Sequence, residues 1–396
     1  MTRLHVLPAP GPRTPEAFAA FASELDAIRD AARARLGAED ARYIVRLLWV
    51  IRGLEATGRL TLLAAAALGA WQVSLSGGVV LACAGAGAVL LGLSKCLENM
   101  EFGHNVMHGQ YEWMNDPRFE GHAHEWDSAC SKEDWRDFHN HMHHQHTNVV
   151  GVDRDFGYGM LRLSAEAPWE PRNLVQAPYA LLVALLFEWA IAIHNLEFER
   201  LRTHRAATQA RIRALWPRAR AKMGRQLRKD ALWWPLLGAA LGLLLAGLPG
   251  AGLGGLCVFA GNAVAGAIRN VWTFVVIFCG HFTDGVHLFE PTEPGQESKG
   301  QWYLRQVLGS SNLRGGWLFH LMTGNLSHQI EHHLFPDLPA RRYAEVAPAV
   351  RAACQRHGVP YNTGRLSTQF ATVLKRIVRH SFPGGEHLLR DTRPTG

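Results

Sequence analysis

Charged residues are scarce in this chain of 396 residues. Only 19% are Asp, Glu, Lys or Arg, against roughly 25% in an ordinary soluble domain. Long disorder away from the two ends is therefore excluded, because it needs high charge and few apolar residues. The six cysteines, Cys83, Cys96, Cys130, Cys257, Cys279 and Cys354, form no C-x-x-C pair. That absence argues against a zinc ribbon, an iron–sulfur cluster and a disulfide framework. No G-x-G-x-x-G follows a strand-like run, so no nicotinamide site of that kind is expected. No H-E-x-x-H occurs, because His124-Glu125 lacks the second histidine; this removes the common zinc-protease reading. No apolar run adjoins Met1, so no secretory signal is expected. The tail from His380 holds the letters of a haem-binding H-P-G-G loop with an insertion, but too few residues follow for a cytochrome domain.

What the chain does have is apolar runs and histidine. The first 57 residues are polar and read as a cytosolic N-terminal segment, followed by a membrane domain over 58–396. Apolar runs at 60–75 and 79–95 flank Gly77-Gly78, and runs at 231–248 and 253–279 flank Pro249 and several glycines. Each pair reads as a hairpin of short transmembrane helices. Between Glu199 and Asp230 lie eleven Lys/Arg against two acids, a positive-inside signal that holds this segment in the cytoplasm. The intervening run Tyr179–Leu196 cannot then span, and it reads as an interfacial or half-buried helix. The expected fold is an all-α integral membrane protein with four spans in two hairpins. Both termini and two catalytic regions, 98–230 and 280–361, face the cytoplasm, and 362–396 form a C-terminal tail. The net charge of +7 sits beside the membrane, so anionic lipid rather than nucleic acid is the expected partner. Arg269, inside the last apolar run, is costly there unless it faces protein or water, and a substrate headgroup or snorkelling would each serve.

Most of the 21 histidines fall into clusters. His104 and His108 are four apart, and so are His139 and His143, with His144 adjacent. His328, His332 and His333 repeat that second spacing. On a helix, residues four apart share a face. Eight or more imidazoles exceed the coordination of one ion, which implies two metals, and imidazole suits iron, copper, zinc and nickel alike. A metal transporter is the alternative outside enzymes, but its ligands would have to lie at mid-span.

The order H-x-x-x-H, H-x-x-x-H-H and Q-I-E-H-H-L-F-P, set between two apolar hairpins, resembles the membrane fatty-acid desaturase family. Asn99-Met-Glu-Phe-Gly-His104, Glu112-Trp-Met-Asn-Asp-Pro117, Gly300-Gln-Trp-Tyr-Leu-Arg-Gln306 and His328-Gln-Ile-Glu-His-His333 are similar to the bacterial acyl-CoA desaturases, including the mycobacterial delta-9 type. The resemblance runs from Glu98 to Tyr361. It implies a non-haem centre of two Fe ions on the cytosolic side of a bacterial inner membrane, with O2 as co-substrate. Carried over by position, the metal ligands are His104, His108, His139, His143, His144, His332 and His333, with His281 near the end of the fourth span. The first position of the third box is Gln329, so either its carboxamide is a ligand or His328 supplies the imidazole, and the repeated spacing favours His328. His122, His124, His141, His146 and His320 match no box position. Ligating imidazoles need partners on their other nitrogen. Asp153, Asp155, Glu101, Glu331 and Asp284 are the candidates, Glu331 foremost because it lies between ligands.

The resemblance further implies O2-dependent insertion of a cis double bond into a long-chain acyl group, carried by CoA or by a lipid. A hydroxylase or ketolase on the same scaffold is the alternative that box composition leaves open. A separate electron-transfer protein, such as a ferredoxin-type reductase using NAD(P)H, must supply electrons. The basic segment Arg200–Lys229 is a candidate docking surface for it.

Overall fold

The computed structural model describes residues 10–291 and 296–384. The end of the expected tail, with Gly385 of the haem-loop letters, lies outside the described residues. The described chain is mostly helical. Its only sheet is a parallel pair, β1 (Asn312–Arg314) and β2 (Thr363–Arg365). α1 (Pro15–Arg33) starts where Thr14 Oγ1 accepts the Ala17 N–H at 3.2 Å and Pro15 presets the first turn. It buries Phe21 and Leu25 in one core with Tyr303, Ile330, Leu334 and Tyr343, and so backs the segment carrying the third histidine box.

α2 (Ala38–Trp71) is a single helix. The apolar run from Leu60 is its last third, and the part before it carries Arg52, Glu55 and Arg59. α3 (Gly78–Leu97) packs on it through glycines. A Cβ on Gly58 would lie 2.7 Å from Leu91 N, and one on Gly87 2.9 Å from Leu62 N. Small residues at such crossings let membrane helices approach backbone to backbone. Beyond Leu97 the rod does not stop. It passes through a π turn at Glu98–Gly103 and resumes as α-helix over His104–Met107. The first histidine pair therefore stands directly on the end of a membrane helix.

The second apolar pair is built around an earlier reversal than the sequence suggested. The helical run Trp234–His281 breaks at Ala246 (φ −147°) and Gly247 (φ +66°), not at Pro249. Only glycine takes that positive φ without strain, whereas Pro249 falls in the first turn of the return arm, where its missing N–H costs nothing. The two arms touch along Gly238, Gly242, Gly250 and Gly254, backbone against backbone. Among the described residues two helices can cross a membrane by length and composition, Gly78–Met107 with 30 residues and Arg205–His281 with 77, or three spans if the bent pair Pro171–Leu185 and Phe187–Leu201 counts as one.

The expected interfacial segment is a bent pair, Gln176–Leu185 and Phe187–His194, which turns by 102° at Leu186. At about 1.5 Å per residue neither arm reaches across a hydrocarbon layer of about 30 Å. Arg269 anchors this bend by facing protein rather than snorkelling to water. Its side chain is buried and pairs with Glu188. It also donates to Asp127 O at 2.9 Å and to Asn270 Oδ1 at 2.9 Å.

Candidate metal centre

Four segments bring histidines to one place. His104 and His108 project from the end of the α3 rod with ring centroids 4.6 Å apart. His139 and His143 lie on a π-helical turn, Asp137–His143, rather than on an α-helix. With i→i+5 hydrogen bonds the positions i+4 and i+5 both come under i, so His143 and His144 face the same way as His139. His281 ends the long return helix, and His332 and His333 sit on the short helix Gln329–Leu334. Ring nitrogens within 4.8 Å of one another form the sets His104, His108, His139, His332 and His143, His281, His333, with His144 joined to His332 and His333.

Six of the rings share one orientation, with Nδ1 outward on an acceptor or hydroxyl and Nε2 inward, whereas His144 Nδ1 is buried without a partner. His143 Nδ1 meets Asp153 at 3.0 Å, His139 Nδ1 meets Asp155 at 3.2 Å, and His104 Nδ1 meets Asn105 Oδ1 at 3.1 Å. His281 Nδ1 lies 3.2 Å from Gly309 O, His332 Nδ1 3.2 Å from the Tyr343 hydroxyl, and His333 Nδ1 3.0 Å from Gln306 Oε1. A proton on Nδ1 leaves a lone pair on Nε2. The inward Nε2 atoms then crowd: His104–His139, His139–His144 and His143–His281 all stand at 3.3 Å, and His281–His333 at 3.1 Å. His108 Nε2, His332 Nε2 and Gln329 Oε1 are buried with no hydrogen-bond partner. Converging lone pairs without donors fit cations between them. Burial, followed by the neighbouring rings, holds His144, His332 and His333 well below the ordinary imidazole pKa, so they are neutral, as ligands must be. Burial also lowers His139. His143 differs: burial would lower it too, but the Asp153 carboxylate outweighs that and raises it.

Several expected residues stand elsewhere. His328 belongs to no set. Its ring stacks on His320 at 4.5 Å, and its Nδ1 is 3.9 Å from Glu331. The neighbouring Gln329 takes the inward place, its amide nitrogen 2.8 Å from His281 Nε2. The short helix starts at Gln329 with His328 as its N-cap, so the spacing that repeats the second box is interrupted by a backbone turn. Glu331 points away from the rings. It accepts from Tyr361 at 2.7 Å and Asn312 at 2.8 Å, and burial pushes its carboxyl up to about 7. Glu101 likewise accepts from Tyr43 at 2.5 Å and Asn325 at 2.8 Å rather than from a ring. Asp284 is exposed, and its backbone, not its carboxylate, is engaged, with Thr372 and Asn362. Of the proposed carboxylates, Asp153 and Asp155 alone reach the set rings. Asn105, Gln306, Tyr343 and the Gly309 carbonyl complete the outer contacts. No carboxylate search would have found them; Asn105, inside the His104–His108 box, and Gln306, in the quoted Gly300–Gln306 run, lay within motifs. His122, His124, His141, His146 and His320 lie outside every set.

Beside His104, His139, His143 and His281 lies a narrow cavity of about 40 Å³, lined otherwise mainly by apolar side chains, Phe138, Tyr158, Ile191, Ile277, Phe282 and Leu326, with Asp155, Asn195 and Gln329 among them. A helical membrane protein with a buried multi-histidine centre against an apolar slot is a class suited to metal-dependent chemistry on hydrocarbon. The family model described as Fatty acid desaturase matches residues 79–365, and the chain belongs to that family of oxidoreductases. It is similar to the NADPH-dependent stearoyl-CoA 9-desaturase of Mycobacterium tuberculosis, with 42% identity over 374 residues covering 94% of this chain and 81% of the relative. An acyl-lipid (7-3)-desaturase of Diacronema lutheri is 31% identical over 69% of this chain and 58% of its own length. Human fatty acid desaturase 3 is 35% identical over 24% of this chain and 21% of its own length.

Proposed function

We propose that this protein inserts a cis double bond, at the delta-9 position, into a long-chain acyl-CoA. The observation that carries the reading is the inward Nε2 set lying directly against an apolar slot. Similarity to the mycobacterial stearoyl-CoA desaturase supports the substrate and the position. Two iron ions are the proposed occupants. His104, His108, His139 and His332 would hold one, and His143, His281, His333 and Gln329 Oε1 the other, with His144 between them. Bound iron would supply the O2-derived oxidant that an unactivated methylene demands and no side chain provides.

The chain itself does the rest. Asp153 and Asp155 fix ring tautomer and tilt, and Phe138, Ile277, Phe282 and Leu326 hold a methylene pair against the ligand face and keep water out. In the proposed topology the apolar part of α2, α3 and the two arms of Trp234–His281 are four spans. The basic run between Glu199 and Asp230 supports a cytoplasmic side for the centre and both termini. The balance is CH2–CH2 plus O2, two electrons and two protons giving CH=CH and two waters, so a separate reductase drawing on NADPH supplies the electrons. Expression in a host lacking the activity, with mass spectrometry of the acyl products and iron analysis of the purified protein, tests the reading. A delta-9 olefin and two irons per chain are expected. A hydroxylated product without olefin would overturn it.

A further inference from the structure

Two tryptophans join the histidine centre to a charged face of the protein. The Trp135 ring stacks on His139 with centroids 4.4 Å apart and 26° between planes, and it stands edge-on to His104 and His108 at 5.3 and 5.5 Å. Trp126 follows, its ring 5.5 Å from Trp135. Both rings are buried, and the Trp126 indole N–H is fixed by a 2.7 Å bond to Cys130 O. Trp126 also lines a cleft of about 260 Å³ with Arg52, Lys95, Glu125, Asp127 and Arg225. Lys222 of the basic helix Arg205–Leu227 crosses this cleft to bond the Trp126 carbonyl at 2.7 Å. The aromatic chain therefore begins under the basic helix and ends on a ring of the centre.

We propose that Trp126 and Trp135 conduct electrons to the metal centre from a one-electron carrier protein with an acidic face, docked over this cleft. The proposal rests on the metal-centre reading above. Electronic coupling through protein falls steeply with each gap between orbitals. Two indoles in near contact with each other and with His139 leave no saturated stretch between the cleft floor and the centre. Each passage oxidises the carrier by one electron and reduces the centre by one, and the indoles end unchanged. Two passages supply the pair of electrons that the olefin balance requires.

The charge left for a partner is positive. Arg218, Lys222 and Lys229 are committed within the fold to Asp134, Glu125 and Asp127. Arg225, on the cleft itself, is exposed and reaches Glu125 only at 4.0 Å, while Arg213, Arg220 and Arg228, in the same basic stretch but outside the cleft lining, are exposed with no ion partner among the described residues. Such a surface steers an acidic carrier into a weak, rapid encounter, as repeated one-electron delivery requires.

The experiment mixes iron-loaded protein with reduced ferredoxin under anaerobic stopped flow and follows ferredoxin oxidation per iron. Trp126→Leu is expected to slow it roughly tenfold, Trp126→Phe less, and Arg220→Glu with Arg228→Glu to weaken ferredoxin binding. Iron content, and olefin formed by dithionite-reduced protein on admitting O2, should match wild type in Trp126→Leu. Ferredoxin oxidation at the wild-type rate in that variant overturns the conduction path, and unchanged binding after charge reversal overturns the docking face. If dithionite-reduced wild type forms no olefin, the desaturase reading fails instead.

Discussion

Asp153 grips His143 with both carboxylate oxygens, at 3.1 and 3.0 Å from Nδ1. The same carboxylate accepts the backbone N–H groups of Asn148 at 2.7 Å and Asp155 at 2.9 Å. One side chain thus sets the tilt of a ligand ring and the course of the loop that delivers Asp155 to His139. Asp153→Asn is expected to lower iron affinity or turnover by about 10- to 100-fold. Glu331→Gln, whose carboxyl touches no set ring, should keep its iron. Metal analysis of both variants checks the contrast, and equal losses would contradict it.

The third box offers a sharper comparison between neighbours. Gln329→Ala removes a group 2.8 Å from His281 Nε2 and should cost at least ~10-fold in iron retention or activity. His328→Ala removes a ring stacked on His320 outside the sets and should cost much less. Iron per chain in the two purified variants decides between them.

Arg269 and Glu188 form a buried ion pair between a span and the bent helix. Glu188→Gln leaves Arg269 uncompensated and should destabilise the protein by about 3–5 kcal/mol. Replacing both, Arg269→Met with Glu188→Leu, should recover most of that loss. Thermal unfolding in detergent reads both, and a double variant no better than the single one would contradict the pairing.

Asp40 should contribute to the acid sensitivity of the fold. Burial alone would raise its carboxyl, but hydrogen bonds from Arg342 and the Gly37 N–H, with the charges of Arg342 and Arg341, hold it below the usual range. A depressed carboxyl stabilises the fold fully above its unfolded value, about 3.9, and the contribution fades as pH falls through the folded value. Melting temperature measured from pH 6 down to pH 3 should therefore fall less steeply in Asp40→Asn than in wild type.

Much of the centre was legible because ligand spacing is a local property. His104 with His108, and His139 with His143 and His144, announce themselves in four- and five-residue steps. What stayed hidden depends on backbone detail. A π turn brings His144 into line with His143, and an N-cap turns His328 away while Gln329 goes in. Glu331 lies between ligands in sequence yet on the opposite face of its short helix. The apolar runs marked the helices, but the reversal at Ala246–Gly247 was masked by the stronger punctuation of Pro249. The Arg269 pairing could not be read at all, since Glu188 and Asp127 are distant in sequence.

The Arg269 pairing also bears on how the chain is made. Asp127 and Glu188 leave the ribosome before Arg269 does, and both belong to segments on the histidine side of the spans. When the last apolar run enters the bilayer, the acid that neutralises its arginine has already been synthesised, together with the Asp127 carbonyl that takes one of its N–H groups. An arginine inserted alone costs about 2.5–3.5 kcal/mol at mid-membrane. In the proposed topology, insertion of this final helix is expected to depend on the loop and bent helix made before it, and a chain lacking Glu188 should insert it poorly.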